Sequence, residues 1–334
     1  MILLYPFSII YGFLTFIRNK CYDWGICAQT AYKIPVISVG NITVGGTGKT
    51  PFVEFLIKSM SNRYSIAVLS RGYKRNTKGF IVANRRATAA IIGDEPAQIL
   101  NKYPGITVAV AEQRTEGMSQ LMKIENPPEM VILDDAFQHR SIKPGFSILL
   151  IDYTRPLWED HILPAGRLRE YACGAARADL FVVTKCPDNL TSYDKTLFIE
   201  KIKGATTENT FFSRISYGQP TNINGEPEPD FFKQHESFIV VTGIAKCEPY
   251  IEYIQQKGTI KKHFKYSDHH PFTAADVETF KEANLPVVTT EKDATRLEQW
   301  SSELHIVYVP IETEFMDNQD KQLIFLLYKY LVNV

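Results

Sequence analysis

The 334-residue sequence has few features of a secreted or nucleic-acid-binding protein. Its five cysteines are scattered, with no CxxC pair and no disulfide framework, which favours a reducing compartment. Basic and acidic residues both number 37, so the net charge is zero and no global excess of charge favours nucleic acid. Internal repeats and low-complexity tracts are absent. The remaining composition, 45% hydrophobic and 22% charged, is ordinary for a globular chain with room for two domains.

Long apolar runs are also scarce, with one exception at the N-terminus. Residues 2–17 are apolar, are interrupted by Pro6 and Gly12, and are followed by Arg18 and Lys20. A signal peptide carries its positive charge before the apolar run, and a membrane span needs about 20 apolar residues. We therefore expect residues 1–30 to form an apolar helix at a membrane interface. A helix packed on the protein's own core and a true transmembrane span are the alternatives.

From residue 34 onward, apolar segments alternate with helical patterns. These segments are apolar throughout, which is typical of strands buried on both faces: VISVGN, SIAVLSRG, ITVAVA, MVILDDA, SILLID and LFVVTK. They predict an α/β fold, P-loop NTPase-like, with a mostly parallel sheet and helices on both faces, over residues 31–215. A Pro-, Gly- and Asn-rich stretch at 213–232 and a second αβ series predict a smaller C-terminal α/β domain over residues 216–334.

A glycine-rich loop, ITVGGTGKTP, directly follows the first predicted strand. The strict phosphate-loop motif has Gly where this chain has Thr43, but other glycines keep the loop flexible. Backbone N–H groups of such a loop approach phosphate oxygens, the Lys neutralises them, and the Thr hydroxyl can ligate Mg²⁺. The expected nucleotide-binding residues are Thr43, Val44, Gly45, Gly46, Thr47, Gly48, Lys49 and Thr50. The segment VVTKCPDN lacks the Asp of a guanine-reading [NT]KxD motif, which favours ATP.

Acidic and polar residues follow other predicted strands. Asp134 and Asp135 end an apolar strand, where a carboxylate beside a phosphate loop holds Mg²⁺; a capping pair is the alternative. Gln138 and His139 extend the same polar segment. Asp94 stands at a predicted helix start, where a carboxylate is also a normal N-cap.

Further cations and histidines complete the set of candidates. Arg71 and Arg114 follow strands and would suit an anionic substrate, and the segment LPAGRLRE supplies Arg167, Arg169 and Glu170 in a Gly- and Pro-shaped loop as a phosphate clamp. The segment SDHHPF contains His269, for which acid–base, structural and metal-binding roles all remain open.

Seven segments in this order resemble the tetraacyldisaccharide 4'-kinases of lipid A biosynthesis over nearly the whole chain. They are the loop, SRGYKR, GDEPAQIL, DDAFQHR, LPAGRLRE, SDHHPF and TTEKDATRL. That family's loop has the form GNxxxGGTGKTP, so Thr43 is no exception within it. The resemblance implies transfer of the ATP γ-phosphate, with Mg²⁺, to the 4'-hydroxyl of a lipid A disaccharide 1-phosphate. It also implies action at the cytoplasmic face of the inner membrane of Gram-negative bacteria, without nucleic acid and without an obligate protein partner.

The same resemblance implies roles for individual residues. Asp94 and His269 would be catalytic partners, and Arg169 would stabilise charge on the transferring phosphoryl group. Thr50, Asp134 and Asp135 would serve Mg²⁺, with Glu170 as a further candidate ligand. From the residues themselves, we expect Arg71, Arg114, Gln138 and His139 to contact the substrate. The alternative is a soluble P-loop ATPase switch or a metallochaperone-like protein, which would need no acceptor pocket.

Overall fold

The computed structural model of the protein describes residues 2–332. Within them, two sheets are built from the following strands: β1 (Val36–Gly40), β2 (Ile66–Ser70), β3 (Ile81–Val82), β4 (Thr107–Val110), β5 (Met130–Asp134), β6 (Phe146–Asp152), β7 (Leu180–Thr184), β8 (Thr210–Tyr217), β9 (Thr221–Asn222), β10 (Ser237–Thr242), β11 (Thr259–Lys265), β12 (Val287–Thr290), β13 (Ile306–Val309) and β14 (Ile311–Phe315).

The larger sheet has the strand order β14-β8-β7-β6-β1-β5-β2-β4-β3. Every pair from β8 to β4 is parallel, and only the edge strands β14 and β3 pair antiparallel. The smaller sheet has the order β11-β10-β12-β13-β9, in which only β9 is antiparallel to its neighbour. This arrangement confirms the α/β class and the mostly parallel sheet.

Helices cover both faces of the larger sheet. The helices are α1 (Tyr5–Asp23), α2 (Lys49–Met60), α3 (Ala89–Ile92), α4 (Asp94–Lys102), α5 (Arg114–Leu121), α6 (Ser192–Glu200), α7 (Phe231–Gln234), α8 (Glu248–Gln255), α9 (Ala274–Lys281), α10 (Glu291–Leu297) and α11 (Asp320–Val332). Side chains alternate along β1: Ile37 and Val39 face the core that includes α2, whereas Val36 faces the core that includes α5. Because both faces are buried, the strands carry no polar face, which is the pattern read in the sequence.

The C-terminal residues do not stay with the smaller sheet. Strand β14 pairs with β8 of the larger sheet, and Leu323 and Leu327 of α11 are buried in the same core as α2. The division expected at residues 215 and 216 therefore differs from the sheets, since residues 311–332 return to the first unit. The apolar pattern of α11 in the sequence does not show which sheet the helix covers.

Helix α1 has one face on the protein and one face in solvent. The backbone N–H of Ala165 donates to Ser8 Oγ at 2.9 Å. A Cβ at Gly12 would lie 2.7 Å from the Tyr171 hydroxyl oxygen, so glycine permits this close approach. On the opposite face several large apolar side chains are exposed: Phe7, Ile9, Ile10, Phe13 and Leu14. Among residues 2–332, no helix combines the length and the apolar character needed to cross a bilayer.

Candidate active site

The glycine-rich loop lies between β1 and α2, at the carboxyl edge of the larger sheet. Gly48 has φ +80°, a left-handed conformation that favours glycine, and α2 begins at the next residue, Lys49. The side chain of Asn41 donates to Thr47 Oγ1 at 2.8 Å, and the Thr184 hydroxyl donates to the Thr47 carbonyl at 2.9 Å. The loop is thus held by Asn41 after β1 and by Thr184 at the end of β7, and the amino end of α2 points its free N–H groups toward any phosphate above the loop.

The segment that carries Arg169 runs antiparallel beside this loop. The N–H of Val44 donates to the Arg167 carbonyl at 2.9 Å, and the N–H of Arg169 donates to the Ile42 carbonyl at 2.7 Å. These bonds place the Arg169 guanidinium 2.9 Å from Asp135 Oδ1, while Lys49 Nζ lies 3.5 Å from the same oxygen. Burial acts to raise the pKa of Asp135, but the charges of Lys49 and Arg169 outweigh it and lower that pKa. Asp135 is therefore ionised and holds both cations beside the loop.

Asp134 has a different environment from its neighbour. Its side chain is 3% exposed, and its Oδ1 has no hydrogen-bond partner among the described residues. Burial, and then the charges of Glu95 and Asp135, raise the pKa of Asp134 to about 7, although Lys49 and Arg114 oppose this. A divalent cation would compensate a buried carboxylate with a free oxygen, so Asp134 fits Mg²⁺.

Asp94 and His269 come from different units of the molecule. Asp94 is the first residue of α4, and His269 lies in the loop after β11 of the smaller sheet. His269 Nδ1 lies 2.7 Å from Asp94 Oδ2, although 175 positions separate the two residues in the chain. Burial acts to raise the pKa of Asp94, but the His269 hydrogen bond and the charge of Arg296 lower it below its ordinary value. The arrangement supplies an ionised carboxylate with an attached imidazole, which can accept a proton from a hydroxyl group.

Glu170 occupies a position that differs from the expected Mg²⁺ coordination. Its carboxylate is 2% exposed and accepts hydrogen bonds from Asn19 Nδ2 at 2.8 Å, Gln138 Nε2 at 3.0 Å and the Arg177 guanidinium at 2.9 Å. Three protein donors leave little of this carboxylate for a metal, because each occupies acceptor capacity. Glu170 instead ties α1 to the segment after β5.

The structure separates the four residues expected to bind substrate. Arg71 is exposed, and Gln138 donates to the Asn41 carbonyl at 2.8 Å and accepts from Arg169 at 3.3 Å. Arg114, by contrast, is 1% exposed and donates to the backbone carbonyl of Ala111. Burial, with the charge of Arg114, lowers the pKa of His139 to about 4, so this ring is neutral at pH 7. Arg114 is therefore buried beneath the site and not on an open surface, because its guanidinium lies against the backbone carbonyls of Ala111 and Asp134. Its position after a strand in the sequence does not reveal this burial.

Several side chains at the site have no role in the sequence interpretation. Lys185 donates to the Gly46 carbonyl and lies 2.7 Å from Asp152 Oδ2, so it braces the loop. Lys292 and Arg296 of α10 lie against His269 and Asp94. Both are in the segment TTEKDATRL, where two cations four residues apart after a strand could have indicated a shared helix face.

This geometry belongs to the P-loop class of phosphate-transferring enzymes: a parallel sheet ends in the nucleotide loop, and an imidazole–carboxylate pair faces the same edge. Comparison with known proteins narrows the class. The model of the tetraacyldisaccharide-1-P 4'-kinase family matches residues 1–329. The chain belongs to this family, and it is a kinase that uses ATP and Mg²⁺.

Individual relatives agree with the family match. The tetraacyldisaccharide 4'-kinase of Flavobacterium johnsoniae is 42% identical over 321 residues, which cover 95% of this chain and 93% of that protein. The enzyme of the same name from Bacteroides thetaiotaomicron is 42% identical over 339 residues, covering 95% and 89%. The crystal structure of LpxK from Aquifex aeolicus in complex with ATP superposes with a TM-score of 0.80 at 29% identity and covers 98% of both chains.

Proposed function

We propose that the protein transfers the γ-phosphate of ATP to the 4'-hydroxyl of a tetraacyldisaccharide 1-phosphate, which gives the 1,4'-bisphosphate, lipid IVA. The new bond joins the 4'-oxygen to phosphorus, the bond from phosphorus to the ADP oxygen breaks, and the hydroxyl proton leaves to the Asp94–His269 pair. The observation that carries the proposal is this pair, 2.7 Å apart, at the amino end of α4, where the next residue, Glu95, is close enough to Asp134 to raise the pKa of that carboxyl. In the ATPase-switch alternative the same pair would act on water, so the dependence of turnover on the lipid acceptor separates the two functions.

The remaining residues hold the donor. Lys49 and the amino end of α2 bind the terminal phosphates of ATP, and Arg169 lies where it can reach the transferring group once Asp135 releases it. Mg²⁺, held by Asp134 with Thr50 and Asp135 beside it, would screen charge between the phosphate oxygens. Because phosphoryl transfer has a loose transition state, these charges and their placement contribute more than covalent chemistry does.

The test of the pair is a set of substitutions assayed with ATP and lipid A disaccharide 1-phosphate in detergent, with the phosphorylated position mapped in the product. Asp94→Ala and His269→Ala should each lower kcat strongly with little change in ATP affinity. The double variant should be scarcely worse than the worse single variant, because effects within one catalytic unit are not additive. His270→Ala is the matched control, since His270 pairs at 3.1 Å with Asp276 outside the site.

Two outcomes would contradict this assignment. Fully multiplicative losses in the double variant would show that Asp94 and His269 act independently. Phosphate release that does not depend on the lipid acceptor would favour the ATPase-switch alternative.

We also propose that the exposed face of α1 contacts the cytoplasmic surface of the inner membrane and admits the acylated substrate. Its apolar side chains include Phe7 and Phe13, which are 62% and 59% exposed. Clustered exposed apolar groups of this kind mark lipid or protein contact sites. The double variant Phe7→Ser/Phe13→Ser should lose sedimentation with phosphatidylethanolamine–phosphatidylglycerol vesicles, whereas Phe325→Ser, at a 67% exposed position on α11, should not. Unchanged sedimentation of the double variant would oppose the proposal.

A further inference from the structure

Helix α10 brings two cations to the Asp94–His269 pair from one side. Lys292 and Arg296 are four residues apart and therefore share a face of the helix. The helix is firmly held, because Thr290 caps it by accepting from the N–H of Asp293, and the buried Asp293 carboxylate accepts from the N–H of Gly243 at 3.0 Å. Asp293 also pairs with Arg296 at 2.6 Å, which fixes the guanidinium.

The contacts of Lys292 determine which nitrogen of the His269 ring carries the proton. Lys292 Nζ lies 3.1 Å from His269 Nε2, and an ammonium group has donors but no acceptor. Nε2 must therefore accept, so that the ring proton resides on Nδ1. That nitrogen is the one that faces Asp94 Oδ2 at 2.7 Å, and its N–H donates to the carboxylate.

Arg296 acts on the carboxylate itself. Its Nε lies 3.4 Å from Asp94 Oδ2, the same oxygen that accepts the hydrogen bond from His269. The other charged groups around the pair are two carboxylates, of which Asp268 lies 3.7 Å from His269 Nε2 and Glu95 lies 3.7 Å from Lys292 Nζ. Beside the ring of His269 lies Tyr73, in edge contact at 5.7 Å between ring centroids. Both cations of α10 favour the ionised form of Asp94.

We propose that Lys292 and Arg296 are positioning residues of the phosphoryl transfer: Lys292 fixes neutral His269 as the Nδ1–H tautomer, and Arg296 keeps Asp94 ionised and directed toward the acceptor. The inference rests on the proposed function, since it assigns the Asp94–His269 pair its proton-accepting form. It also makes α10 of the smaller unit a part of the site. In this arrangement Asp94 takes the hydroxyl proton, and His269 orients it without first releasing a proton of its own.

The decisive substitution is Lys292→Met, which retains much of the side-chain length and removes the donor. We expect kcat to fall by about 10–100-fold, the range for removal of an outer-shell partner that orients a functional group, with little change in the KM for ATP. Because the Lys292 charge helps to lower the pKa of Asp94, the acid limb of the kcat profile should move to higher pH. Lys292→Arg retains a cationic donor and should recover most of the activity. Lys281→Met on α9, where the lysine pairs with Glu278 at 2.7 Å, is the matched control and should leave both readouts unchanged.

A spectroscopic measurement separates positioning from a general structural effect. In ¹⁵N-histidine NMR of the full chain, with the His269 resonances identified by their loss in His269→Asn, wild-type Nδ1 should be protonated and Nε2 unprotonated. This pattern should be lost in Lys292→Met. A wild-type Nε2–H tautomer, or an unaltered kcat and pH profile in Lys292→Met, would overturn the inference.

Asp94→Asn separates the proposed function of the Asp94–His269 pair from the proposed role of Lys292. If Asp94→Asn retains full activity, the proposed function of the pair fails. If Asp94→Asn is inactive while Lys292→Met turns over normally, only the role of Lys292 fails. Arg296 also neutralises the buried Asp293, so its substitution can destabilise the fold. Arg296→Lys keeps the charge, and its kinetics are interpreted only if its thermal midpoint equals that of the wild type.

Discussion

Lys102 joins the two units of the molecule through a buried cluster of charges, and its removal should destabilise the fold strongly. Its ammonium lies 2.5 Å from Glu54 of α2 and 3.1 Å from Glu291 of α10, and these two carboxylates are 3% and 7% exposed. Lys102→Met leaves both without a cation, and breaking a buried ion pair costs about 3–5 kcal/mol. The free energy of unfolding from urea titration should fall by that amount.

The effect should depend on pH in a defined direction. Burial, and then the charge of Glu291, raise the pKa of Glu54 to about 7, while Lys102 and Gln98 lower it. A group with a raised folded pKa contributes stability that is complete below its unfolded value and is lost as pH rises through the folded value. Lys102→Met removes the charge and the hydrogen bond that lower the pKa of Glu54, so this pKa rises further. The loss of stability should therefore be larger at pH 8 than at pH 5.

A matched control separates this cluster from ordinary surface charge. Lys58 of α2 pairs with Glu312 at 3.7 Å, but both side chains are more than half exposed. Lys58→Met should change the unfolding free energy by no more than about 1 kcal/mol. The reasoning is refuted if the two substitutions cost the same, or if the cost of Lys102→Met is equal at pH 5 and pH 8.

Three further predictions concern the nucleotide. Lys49→Ala removes the charge beside the transferring phosphate, so kcat should fall by about 10²–10⁴-fold in the coupled ADP-release assay, with Lys58→Ala as control; a loss of less than 10-fold would contradict the role. Lys185→Met removes the brace on the Gly46 carbonyl and should raise the KM for ATP more than it lowers kcat, as measured by initial rates. ATP should be used in strong preference to GTP, and equal use of GTP would contradict the interpretation of the TKCP segment.

The sequence was sufficient where local chemistry determines the structure. The apolar runs indicate buried parallel strands. A glycine-rich loop followed by Lys and Thr marks the start of α2, because this combination is typical of a phosphate-binding loop that leads into a helix. It also predicted that Asp94 and His269 would meet, but only through the family resemblance, since no local pattern links residues 175 positions apart.

The remaining features depend on packing that a linear pattern does not record. Arg114 follows a strand as Arg71 does, yet Arg114 is buried against the carbonyls of Ala111 and Asp134, whereas Arg71 is exposed. Glu170 has the residue type of a metal ligand, but three donors from distant segments already occupy it. The assignment of α11 to the larger sheet likewise required the tertiary structure, because an apolar stripe shows that a helix is covered but not by which partner.

Helix α1 has a consequence for how the protein can be handled. Its last turns bear Asn19, which donates to Glu170, and Arg18, which donates to the Gln138 carbonyl; Gln138 in turn contacts Arg169. A chain shortened to begin after Asp23 would gain solubility by losing the apolar face, but it would also remove a supporting wall of the phosphate site. Solubility is better improved by replacing the exposed apolar side chains of α1 one at a time. This keeps the contacts by which the other face of the helix supports the phosphate site.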